Sequence, residues 1–179
     1  MKKLISLSIF GIAFAWLEAV VVVYIRRILP EDCWKLVYDI PTLIQFLKDY
    51  KILFIEQTRE ASTIVILTCV AILSGTKFKE RLAYFLWILG LWDIFYYIFL
   101  KLWLGWPESL FTVDILFLIP VPWIAPVILP VICSLLMMAV AIYLLKARYF
   151  FASSKKYKQK FLNFTKKGCY SLKTLIRLK

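Results

Sequence analysis

The sequence predicts an all-α polytopic membrane protein of about four transmembrane helices plus one proline-broken half-helix. Its 179 residues are 63% hydrophobic, against about 45–50% apolar in ordinary soluble domains. The apolar residues fall in long blocks, Leu4 to Ile25, Leu82 to Trp103 and Trp123 to Leu145, and a hydrocarbon core of ~30 Å takes ~20 apolar residues per helical span. The blocks do not alternate apolar and polar, which argues against a β-barrel.

The first block begins "MKKLISLSIFGIAFAWLEA", with the basic pair and apolar stretch of a signal peptide. The best cleavage site would put Leu17 at the −3 position, where small residues are preferred. The apolar run also continues through "VVVVYI", so the block reads as a retained first span. From Arg26 to Lys51 come five bases and four acids, a mixture that suits the outer side. Within it, Asp39 and Pro41 are a reasonable helix start. Leu43, Phe46, Leu47 and Tyr50 then share a face opposite Gln45, Lys48 and Asp49, as in a short helix lying on the membrane surface.

A second span, residues 51–75, is long enough but charged in its first half. The short "TKFKER" loop after it sets Lys77, Lys79 and Arg81 against Glu80. From Lys146 onward there are eleven Lys or Arg and no acid. The positive-inside rule puts that tail, the loop and the "MKK" start in the cytoplasm. The division is therefore a transmembrane domain, 1–145, and a basic amphipathic cytoplasmic tail, 146–179. The tail is expected on anionic lipids. Nucleic acid is not expected, because membrane proximity already explains the charge.

The third span, 82–103, leads outward, and one net crossing must return the chain. Leu110 to Leu145 would make a helix of ~54 Å at ~1.5 Å per residue, too long for one span and too short for two. Pro120, Pro122, Pro126 and Pro130 interrupt it. Each removes a backbone donor and clashes with the preceding turn. The expectation is a half-helix over 108–119, a turn at "IPVPW" and a full span over 123–145, with Pro126 and Pro130 in its first turns. The alternative is five full spans. Trp103, Trp106 and Trp123 fit an outer interfacial belt and carry no chemistry.

Composition also excludes whole classes of chemistry. There is no histidine, so His acid–base catalysis, Ser-His triads and His-ligated haem are ruled out. Cys33, Cys69, Cys133 and Cys169 are far apart and suggest neither a zinc site nor a disulfide framework. Gly75 and Gly90 are isolated and begin no phosphate loop.

What remains is a set of acids inside apolar blocks: Glu18, Glu56, Glu60, Asp93 and Asp114, with Arg59 between two of them. Glu56, Arg59, Glu60 and Thr63 fall on one helical face, as do Gly90, Asp93, Tyr97 and Lys101. Tyr96 and Tyr97 are placed to donate to Asp93. In the expected topology all five acids reach the outer half. Intramembrane charge is expensive and marks function by default. Five carboxylates against one arginine require protons or a bound cation. Oxygen ligands suit protons, alkali ions, Mg²⁺, Mn²⁺ or Ca²⁺, and Glu56, Glu60, Asp93 and Asp114 are the candidate ligands of a hard cation. The bland reading makes Arg59 a lock between helices and gives each acid a neighbouring partner.

A cation- or proton-coupled transporter is the first functional expectation, with Glu18, Glu56, Arg59, Glu60, Asp93, Tyr97 and Asp114 as its site. With so few spans it would need a homo-oligomer or a membrane partner. A divalent-metal-dependent enzyme acting on lipid phosphate is the alternative, with Arg59 stabilising developing charge. A subunit or assembly factor of a larger complex is the third.

Overall fold

The structure, a computed structural model, describes residues 2–28, 42, 45, 51–115 and 124–147. Two units make up the chain, Met1–Ile142 and Tyr143–Lys179, and of the second the described part is 143–147. The "IPVPW" turn and nearly all of the expected surface helix and basic tail lie outside the described residues.

Among the described residues are four long helices: α1, Lys2–Ile28; α2, Ile52–Ser74; α3, Phe78–Leu104; and α4, Ile128–Ala147. Three of them, α1, α3 and α4, are long and apolar enough to cross a membrane. No fifth long helix occurs among the described residues. Gly11 of α1 faces Ile88 and Leu91 of α3, and Trp87 Nε1 donates to Ser8 Oγ at 2.9 Å. Farther along, Trp16 meets Phe99 and Trp103 edge-on. The pairing rises on both helices together, so α1 and α3 run parallel. Glu18 meets Arg59 while Lys3 meets Ser74, so α2 runs against α1. Gly90 and Asp93 meet Ser134, and Gly90 also faces Met138, so α4 runs against α3.

Small residues permit these approaches. The buried line on α1 is Leu7, Gly11, Ala15, Glu18 and Ala19. In a bilayer, close packing rather than the hydrophobic effect holds helices together. The outward faces are apolar: Leu73 is 86% and Leu136 62% exposed, as a lipid-facing surface requires. The tightest crossing is at Gly90, where an added Cβ would lie 2.8 Å from Ser134 O. Gly90→Ala should therefore lower stability by about 1–3 kcal/mol. Gly11→Ala, whose Cβ would sit at an ordinary 3.4 Å from Ile88 O, should be near neutral. Thermal unfolding in detergent checks the pair, and equal midpoints would refute the close α3–α4 crossing.

The expected half-helix over 108–119 does not form in its described part, 108–115, and 116–119 lie outside the described residues. Residues 108–111 are bend and turn, and Val113–Ile115 (β1) pairs antiparallel with Ile124–Pro126 (β2), placing Asp114 opposite Ala125. The physical reason is local. Thr112, Val113 and Ile115 are β-branched and favour extended backbone. The pairing also satisfies polar backbone groups that a broken helix would leave open. Val127 N donates to Thr112 O at 3.0 Å and Ile128 N to Leu110 O at 2.8 Å, closing the base of the hairpin. Pro126 consequently lies in β2, not in a helix. Pro130 sits in the first turn of α4, where its missing donor costs no helical hydrogen bond.

Two caps position the loops. Gly105, at φ 67°, ends α3 with its N–H on Lys101 O, a left-handed cap that glycine adopts without strain. The Lys101 ammonium donates to the carbonyls of Gly105 (2.9 Å) and Pro107 (2.8 Å), fixing the approach to the hairpin. At the other end Glu80, expected as a loop charge with no comparable acid in that half, is buried. It accepts from Thr76 N and Thr76 Oγ1 at 2.9 Å and from the Tyr84 hydroxyl at 3.2 Å.

Candidate functional site

The candidate site lies toward the hairpin end of the bundle and has two parts. The first joins α1 to α2. Arg59 and Glu56 are three residues apart on α2, so their side chains meet on one face. Arg59 Nη2 donates to Glu56 Oε2 at 2.8 Å, and Nε reaches both Glu56 oxygens at 3.1 Å. Arg59 Nη1 donates to Glu18 Oε2 across the helix interface. Thr63, buried one turn on, donates its hydroxyl to Arg59 O at 3.2 Å. The guanidinium thus holds two carboxylates from two helices in the fork geometry that arginine supports. The side chains of Arg59, Glu18 and Glu56 are 20%, 10% and 13% exposed, so water screens the pairs little.

The second part joins α1, α3, α4 and the hairpin. The Tyr97 hydroxyl donates to Asp114 Oδ2 at 3.0 Å, and Ser134 Oγ donates to Asp93 Oδ2 at 2.6 Å. Arg26, in the last turn of α1, lies over the Trp106 ring at 3.8 Å and within electrostatic reach of Asp114. Asp114 also feels the charge of Asp93. Asp114 belongs to β1 rather than to a spanning helix. Burial pushes its carboxyl up to about 6, while Arg26 and the Tyr97 hydroxyl draw it down. Tyr96 is within electrostatic reach of Arg59, Glu56, Arg26 and Asp114, which places it between the two parts.

The sequence-predicted residues are therefore only partly united. Glu18, Glu56 and Arg59 form one network, and Tyr97 and Asp114 belong to another with Asp93 close by. Glu60 is half-buried on α2, next in sequence to Arg59. Tyr97 serves Asp114, not Asp93 as its helical spacing suggested; Asp93 takes Ser134 instead. Among the described residues no three His, Cys, Asp or Glu side chains gather as a metal site. Glu56, Glu60, Asp93 and Asp114 are thus not assembled around one point.

Sequence reasoning missed Arg26, Ser134 and the central place of Tyr96. Arg26 was counted with the loop because the apolar block ends at Ile25, yet α1 runs to Ile28. A second arginine therefore joins the acids.

The two parts differ in chemistry. An arginine partner serves a carboxylate while it is ionised. A hydroxyl both donates and accepts, so it can partner a carboxylate or a carboxylic acid. Glu18 and Glu56 are held by the first kind of partner. Asp93 is held by the second, and Asp114 by the second with Arg26 nearby. No protein-family model, curated protein or solved structure matches the chain, so a functional reading rests on this geometry.

Proposed function

We propose that the chain is a four-span membrane protein whose polar site carries protons, as a proton-coupled transporter does. The supporting observation is the hydroxyl partnership of Asp93 and Asp114, two carboxylates on different elements with Asp114 within electrostatic reach of Asp93. Each can gain or lose a proton without losing its hydrogen-bond partner. In this reading Glu18, Arg59 and Glu56 are scaffold: one guanidinium pairs with a carboxylate on each helix and ties α2 to α1.

The fourth span is α2. Its first half carries charges, but Arg59 and Glu56 pair with one another. Its hydroxyls are satisfied within the helix, with Thr58 on Phe54 O, Ser62 on Thr58 O and Thr68 on Ile64 O. Ile64, Val65, Ile72 and Leu73 make its exposed face apolar. The alternating directions of the four helices suit four crossings. The positive-inside rule then assigns the lysine-rich 75–81 end to the cytoplasm and the hairpin to the outer side. Four spans leave a short path, so a homo-oligomer is part of the proposal.

The test is reconstitution into lipid vesicles carrying an internal pH dye, with a potassium diffusion potential as driving force. Proton uptake above that of empty vesicles is expected. Wild-type vesicles as tight as empty ones across pH 5 to 8 would sink the reading.

A further inference from the structure

We propose that the turn between α2 and α3, together with the first residues of α1, forms a binding surface for anionic phospholipid headgroups. This surface is distinct from the basic tail and does not depend on the proton reading. Lys3 Nζ donates to Ser74 O at 3.1 Å, which brings the start of α1 against the end of α2. Lys2, Lys77, Lys79 and Arg81 are all exposed at this end. Arg81 and Lys3 are partly engaged, since Arg81 Nε donates to Gly75 O at 3.1 Å. Lys2, Lys77 and Lys79 point the net charge outward.

The burial of Glu80 makes the patch one-signed. It is the acid of the "TKFKER" segment, but it is 5% exposed and committed to Thr76 and Tyr84. It is therefore withdrawn from the surface, where the exposed charged residues of this segment are all bases. Between Lys77 and Lys79 lies Phe78, 78% exposed at the start of α3. A Lys-Phe-Lys order at a helix end is chemically matched to an interface: ammonium groups meet lipid phosphates while the ring enters the acyl boundary. The turn is held by its own hydrogen bonds, so the lysines are presented from a fixed frame.

The experiment is to equilibrate the full chain in detergent with equal amounts of phosphatidylglycerol and phosphatidylcholine. Retained lipid is then measured by mass spectrometry after gel filtration. Wild type should be enriched in phosphatidylglycerol. Lys77→Gln and Lys79→Gln should each lose roughly fivefold of that enrichment, from the interaction of one base with an anionic surface. The double variant should lose more, and Lys77→Arg/Lys79→Arg should keep the enrichment. A charge-matched tail variant, Lys155→Gln/Lys156→Gln, should lose less than the double turn variant, because nine bases remain in the tail. The single variants disturb the fold least and serve if the double variant does not fold. Unchanged enrichment in the turn variants overturns the proposal, and so does an equal loss in the tail variant.

Discussion

Arg59→Met should destabilise the protein by about 3–5 kcal/mol, the cost of stranding a buried charge whose partner is gone. Two carboxylates lose their partner at once. Glu18 is buried within the α1 line that packs the bundle, and Glu56 faces the same guanidinium from α2. Neither can turn to water without opening the α1–α2 contact. Thermal or denaturant unfolding in detergent reads the loss. Adding Glu18→Gln and Glu56→Gln should restore much of it, because the triple variant buries no unpaired charge. A loss within ~1 kcal/mol for Arg59→Met alone would place the network among wet surface pairs. The scaffold role would then fail.

How much of this was legible varies from residue to residue. The apolar blocks located α1, α3 and α4, since length and hydropathy suffice for a helix that must bury its own backbone polar groups. The Glu56–Arg59 pair follows from spacing within one helix. Its extension to Glu18 joins residues 41 apart and follows from no local rule. The prolines showed where a helix could not continue, but not what replaced it. Strands of three residues each carry no readable alternation, and their pairing joins residues on both sides of the prolines.

Glu80 was misjudged because a charge in a short basic loop is usually solvated. Its burial depends on Thr76 and Tyr84, each four residues away. Arg26 was misplaced by taking the end of the apolar block for the end of the helix. An arginine in the last turn suits the helix dipole, and here it also reaches the hairpin. Ser134 is a polar residue in an apolar run, but its partner follows only from the α3–α4 crossing at Gly90.

Asp93→Asn should abolish proton uptake in reconstituted vesicles while leaving folded yield within about twofold of wild type. Asparagine keeps the size of the side chain and an oxygen that accepts from Ser134, so the packing and the hydrogen bond survive. What disappears is the exchangeable proton. Asp114→Asn should do the same, with a modest loss of stability because Arg26 loses a nearby opposite charge. If both variants instead lose their folded protein, the two acids are structural.

Tyr97→Phe separates the roles further. Burial pushes the Asp114 carboxyl up to about 6, so a flux that depends on it should have its midpoint in that range. The Tyr97 hydroxyl donates to the ionised form and so draws that value down. Removing the hydroxyl stabilises the protonated form, and the midpoint of the pH–flux curve should move to higher pH. A residue that merely braced the hairpin would lower flux at every pH and leave the midpoint in place. The direction of the shift, more than the amount of flux lost, is therefore the result that would tie Asp114 to the transported proton.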